Sequence, residues 1–221
     1  MKALVFQNHQ KEIEELNFLD MSVTFGMPAV LFSGAWSDKD TLTAEMKKSG
    51  ICEAAVYHLT GKTYDANYGN ARLMEEIVDT PQLIPTWVAV PSEEAMECSP
   101  TAFADRIAAQ GVKAVRMFPS SQSQPAVATR YAFSRWFYGD FMEVLEKRGI
   151  PVVIEFTPHR RSEPEWDNFY RLACEFPKLS IIMGDGYQRA TWSLIKLMKA
   201  CPNLYTLTTG LDVHRQLEYM V

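Results

Sequence analysis

Between Gly149 and Pro158 the chain reads Ile-Pro-Val-Val-Ile-Glu-Phe-Thr, a short, largely β-branched apolar run interrupted only by Glu155. A run of this length, fenced by glycine and proline, fits a strand buried on both faces, as in a parallel sheet. Comparable runs lie at 18–25, 51–59, 83–90, 112–118, 179–184 and 204–208. Apolar residues at helical spacing fill much of the intervening chain, over 40–48, 70–79, 99–110, 133–148, 164–176 and 191–200, and a further helix begins at Asp212. Asp40 is the expected N-cap of the first helix and Gly50 its stop; Ser99 followed by Pro100 is a second start signal. Residues 2–7 read as a short strand or an arm. The stretches 27–39 and 119–130, and the one containing Gly61, Asp65 and Asn67, have no period and are expected to be loops. Phe133, Trp136, Phe137, Tyr138 and Phe141 crowd one helix. Core packing explains such a stripe, and a face for a partner is the alternative.

Strand and helix alternate about seven times, which implies a parallel sheet with helices outside it. An open doubly wound sheet and a barrel both satisfy that order. No G-x-G-x-x-G follows the first strand, which disfavours a dinucleotide-binding sheet. The expected fold is therefore an α/β barrel of the TIM type, incomplete or atypically closed, with residues 1–221 as one domain. A barrel usually needs an eighth strand to abolish its edges. The seventh strand would be left open, so cover by residues 2–17 or by a second subunit, a homo-oligomer, is expected.

Charge and composition narrow the partners. The net charge is -5 with no basic block, which argues against nucleic acid. No apolar run approaches the roughly 20 residues of a membrane span, and the first ten residues lack a signal-peptide core. A cytoplasmic protein acting on a small molecule is the expectation. Cys52, Cys98, Cys174 and Cys201 are far apart with no C-x-x-C, which favours free thiols over a zinc site.

In a barrel, ligand-binding groups stand at the carboxyl ends of the strands. Those positions carry Ser22, Thr24, His58, Arg116, Glu155, His159 and Asp185. A carboxylate taken out of water needs a partner, a retained proton or a wet cavity. Glu155 and Asp185 together would form an acid/base pair or an oxygen site for a divalent cation; the alternative is a structural network with Arg116. Arg116 would either clamp a substrate carboxylate or neutralise Glu155. His159, beside Arg160 and Arg161, is an anion-binding candidate or part of a solvated loop. His58 has no second ligand at metal spacing and reads as a core or cavity-lining histidine.

Several phrases carry a resemblance. Gly69-Asn-Ala-Arg-Leu-Met-Glu-Glu-Ile77 through Trp87-Val-Ala-Val-Pro91, Gly111-Val-Lys-Ala-Val-Arg-Met-Phe-Pro119, Leu145-Glu-Lys-Arg-Gly-Ile-Pro-Val-Val-Ile154, Phe176-Pro-Lys-Leu-Ser-Ile-Ile-Met-Gly184 and Cys201-Pro-Asn-Leu-Tyr205 follow one another in order. Together they resemble the amidohydrolase-related metal-dependent hydrolases, TIM barrels that include decarboxylases of the aminocarboxymuconate-semialdehyde type. The resemblance implies a hydrolase or lyase acting on a small, carboxylate-bearing substrate. It also implies metal ligands: His-x-His after strand one, His after strands five and six, and Asp after strand eight. Here those positions fall on Ser22, Thr24, Glu155 and Asp185, and no eighth strand follows. Hydroxyls replace imidazoles, so no zinc and no cofactor are expected, with a divalent cation held by carboxylates as the alternative. The resemblance thus leaves two readings: a hydrolase or lyase with a degenerate metal site, which includes an inactive form, or a non-catalytic small-molecule-binding, regulatory or assembly protein on the same barrel.

Overall fold

A computed structural model describes residues 17–26, 38–119, 131, 133–155, 166–184 and 191–208. Strands β1 (Phe18–Phe25), β2 (Ile51–His58), β3 (Leu83–Val88), β4 (Ala114–Met117), β5 (Val152–Glu155), β6 (Ile181–Gly184) and β7 (Leu204–Thr206) form one sheet in the order of the sequence. Every neighbouring pair is parallel. The sheet curls into a half-barrel. Helices α1 (Lys39–Lys48), α2 (Leu59–Thr63), α3 (Ala66–Ile77), α4 (Glu93–Met96), α5 (Pro100–Ala109), α6 (Arg135–Arg148), α7 (Trp166–Glu175) and α8 (Thr191–Ala200) supply the crossovers.

Local chemistry sets the helix ends. Ser99 Oγ accepts from the Ala102 N–H at 3.3 Å, and Pro100 opens α5, as its sequence implies. Gly111 and Gly149 follow helix C-termini with φ of 70° and 64°, a left-handed turn that glycine makes without a Cβ clash. Asp40 is not the cap of α1. Asp38 is, because its Oδ1 lies 2.8 Å from the Thr41 N–H, whereas Asp40 is already inside the first turn. The stretch containing Gly61, Asp65 and Asn67, expected to be a loop, is largely helical. It holds the one-turn helix α2 and the start of α3, which Asp65 caps through the Tyr68 N–H at 2.7 Å. Helix α6 begins at Arg135, so Phe133 precedes it. The aromatic stripe divides: Phe133, Tyr138 and Phe141 are buried, whereas Trp136 is 79% exposed.

The pleat of the sheet sorts the apolar residues onto two faces. Val56, Trp87, Val115, Met117, Val152, Ile154, Ile181 and Met183 belong to the large core shared with the helices. Tyr57, Val88 and Phe118, each adjacent in sequence to a residue of that core, form a second cluster with Ala66. Fully burying each large side chain of the first set contributes roughly 1.5–3 kcal/mol.

Strands β1 and β7 do not pair with each other. Between them lies a slot of about 480 Å³ lined by residues 18–22 on one side and Thr206, Leu207 and Thr208 on the other. Phe18 and Leu19 of β1 are about half exposed at this edge. Residues 2–17, the expected cover, fall almost wholly outside the described residues, as does the helix from Asp212.

Candidate functional site

The second cluster lies on the concave face of the sheet, and Arg116 stands at its centre. Arg116 is fully buried on β4. Its Nε donates to Thr86 Oγ1 of β3 at 3.1 Å, Nη1 donates to Glu155 Oε1 of β5, and Nη2 donates to the Met21 carbonyl of β1. The guanidinium carbon sits 4.8 Å from the ring centre of Tyr57 on β2. One side chain therefore ties five consecutive strands. The ion pair with Glu155, one of the two roles open to Arg116 in the sequence, is present.

Each partner is placed by its own strand. Thr86 passes a hydrogen bond on, donating to the Val56 carbonyl at 2.8 Å. The β1–β2 register slips between Asp20 and Val23. The slip takes Met21 out of the ladder, and its carbonyl turns to Arg116 instead. The Ser22 N–H is satisfied by Asp20 Oδ1 at 2.9 Å. Glu155 is paired in register with Gly184 of β6. A Cβ at Gly184 would lie 2.2 Å from Glu155 Cγ, so glycine at that position makes room for the glutamate.

Lys62 completes the arrangement, and reading the sequence alone misses it. It stands in α2, in a stretch read as a loop. Its Nζ lies 3.7 Å from Glu155 Oε2 and 4.5 Å from the centre of the Phe118 ring. The only sign available beforehand was the Gly61-Lys62 pair just past a strand end. Gly69 allows α3 to press on α2: a Cβ there would lie 2.1 Å from the Gly61 nitrogen.

Among the other sequence candidates, His58 has partners of its own. His58 ends β2 and caps α2, its Nδ1 accepting from the Thr60 N–H at 3.2 Å. Its Nε2 lies 3.7 Å from Glu76, which is itself bound to Arg72. Phe25 meets its ring edge-on, and a Cβ at Gly26 would come within 2.8 Å of Nε2. Burial lowers the His58 pKa and Arg72 adds to that effect, while Glu76 opposes it. Nδ1 is thus engaged in the cap of α2, and Nε2 lies near Glu76 at a distance too long for a hydrogen bond. His159 and Asp185 lie outside the described residues.

The family's metal pattern does not fit the donors that are described. Thr24 Oγ1 donates to the Tyr57 hydroxyl at 2.8 Å. Ser22 lies in the slipped segment, and the one carboxylate is flanked by two cations. A divalent ion placed there would face Arg116 and Lys62, whose charges oppose it. Among the described residues, no group of three or more His, Cys, Asp or Glu side chains is placed to hold a metal. All four cysteines are free. No helix among the described residues is long and apolar enough to cross a membrane.

The family model for amidohydrolase matches residues 51–218, a stretch that begins after β1. No curated protein is matched by the sequence. Among solved structures, dihydroorotase from Campylobacter jejuni is similar at 17% identity and a TM-score of 0.56, over 86% of this chain and 52% of that one. An uncharacterised TIM-barrel protein from Bordetella bronchiseptica gives 18% and 0.56, over 76% and 58%. A TatD homologue from Escherichia coli K12 gives 13% and 0.52, over 86% and 67%. The chain thus spans little more than half the length of the first two. These likenesses show the fold, an incomplete TIM barrel, and do not single out the decarboxylase branch.

Proposed function

The chain belongs to the amidohydrolase family, and from that premise we propose that the concave mouth of its half-barrel is a hydrolase- or lyase-like site for a small, carboxylate-bearing substrate, built without the family's imidazole-held metal. The observation that carries this reading is the Arg116–Glu155–Lys62 arrangement at the carboxyl ends of β4 and β5. Arg116 fixes Glu155 through Oε1, which leaves Oε2 as the oxygen able to take a proton from a water or a substrate. Lys62 stands beside that oxygen, where it can stabilise negative charge developing on a reacting carbonyl. No step is assigned to a metal, because the described donors do not suit one.

The test is turnover of small amide, lactone and ester carboxylates by protein of measured metal content. Glu155→Gln should lower kcat by roughly 10²–10⁴-fold, the usual contribution of a general base, with the circular dichroism spectrum unchanged. Equal turnover by wild type and Glu155→Gln, or one zinc per chain, would overturn this reading. Ser22 and Thr24 at the imidazole positions favour a second one, a non-catalytic small-molecule binder on the same barrel. Saturable binding of such carboxylates with no turnover of any of them would identify it.

A further inference from the structure

We infer that Lys62 is the anion anchor of this mouth, and that its ligand is a small organic monocarboxylate with an apolar body. The inference rests on the reading of the mouth as a small-molecule site and adds which group recognises the ligand. Arg116, the obvious cation, is spent: each of its three nitrogens has an acceptor, Tyr57 covers one face, and the residue is inaccessible to solvent. Lys62 differs on each count. Its side chain is 24% exposed, and its contact with Glu155, at 3.7 Å, is an ion contact too long for a hydrogen bond. An ammonium has three donors, and this contact leaves them available.

Its position is built into the fold. Helix α2 is a single turn, capped by His58 at one end and pressed against α3 through Gly61 and Gly69. Phe118 supports the ammonium from below, at cation–π distance. Among the described residues the centre holds two cations, Arg116 and Lys62, against one carboxylate, Glu155. Among these described groups positive charge is in excess by one, and a monoanion at Lys62 would balance it. Tyr57, Val88, Phe118 and Ala66 give the neighbourhood its apolar character. A carboxylate attached to a ring or short hydrocarbon matches both features, whereas a strongly hydrated inorganic anion matches only one.

The experiment uses the full chain and two probes of one shape, sodium benzoate and neutral benzamide, titrated by calorimetry against wild type, Lys62→Met and Lys62→Arg. Wild type should prefer benzoate, and Lys62→Met should weaken benzoate binding by roughly tenfold to a hundredfold, the range for a hydrogen bond to a charged group. Lys62→Arg should recover most of the loss. In wild type, benzoate should also protect Lys62 from amine acylation read by mass spectrometry, a measurement that does not depend on how the variants fold. No saturable benzoate binding, equal binding of benzamide, unchanged binding by Lys62→Met, or acylation of Lys62 unaffected by benzoate would overturn the inference. Turnover and anchoring fail separately. Lys62-dependent benzoate binding without hydrolysis would leave the anchor and remove the catalytic reading. Hydrolysis that depends on Glu155, with Lys62→Met lowering kcat and leaving KM unchanged, would remove the anchor and leave the catalytic reading.

Discussion

Arg116→Ala should be among the most destabilising single changes available in this chain. The substitution removes the donor to Thr86, the donor to the Met21 carbonyl and the counter-charge of Glu155 in one step. Glu155 would remain buried with Lys62 as its one described cation, at 3.7 Å. Leaving one member of a buried ion pair unpartnered costs roughly 3–5 kcal/mol. For a chain of this size each kcal/mol lowers Tm by roughly 2–4 °C, so the expected drop is on the order of 10 °C. Arg116→Met, which keeps most of the volume, separates the charge effect from the cavity and should lose nearly as much. Glu155→Gln should cost less than either, because it keeps the shape and an acceptor for Nη1. The double variant Arg116→Met/Glu155→Leu should recover much of the loss, since replacing both partners strands no charge. Urea unfolding followed by tryptophan fluorescence gives the midpoints of wild type and the four variants. An Arg116→Ala midpoint equal to that of wild type would refute the reasoning, since the five-strand tie would then hold nothing.

Two further outcomes are expected. His58 has a folded pKa below its ordinary 6.5, so the unfolded chain binds its proton first. Stability from this group is complete above about pH 6.5 and declines as pH falls from there toward the folded value; thermal melts from pH 7.5 to 5 should show the decline, and His58→Asn, which keeps a cap acceptor, should flatten it. At the open edge, Leu19→Lys places a charge on an exposed strand residue and should reduce self-association in light scattering relative to wild type; equal scattering by both would mean that this edge is not a contact surface.

The alternation of strands and helices was legible because the strands are continuous apolar runs and the longer helices carry caps and a 3.6-residue period. Glu155 stood out for the same reason, as a carboxylate near the carboxyl end of an otherwise apolar run. Arg116 could be matched to it because it lies in the middle of such a run, whereas Lys113 stands at the start of the same run. What escaped the sequence is local or relational. Helix α2 is one turn long, too short for a period to show, so Lys62 passed for a loop residue. Asp38 and Asp40 are both good caps, and only the backbone path decides which carboxylate meets a free N–H. Thr86, Tyr57 and the Met21 carbonyl join the centre through contacts between strands far apart in sequence. For Met21 the cause is a register slip that no residue pattern announces.

The strictly sequential order of the sheet has a consequence for synthesis. Each strand pairs with the one made just before it, so the half-barrel can grow as the chain emerges. Arg116 finds Met21 and Thr86 already made, 95 and 30 residues earlier. Glu155 follows 39 residues later, a delay of roughly 2–8 s at ordinary elongation rates. Until it arrives, β1–β4 hold a guanidinium with acceptors but no counter-charge, and burial of that charge must wait for β5. The nascent chain therefore has a point of commitment, set by when its first core carboxylate leaves the ribosome rather than by when its apolar strands do.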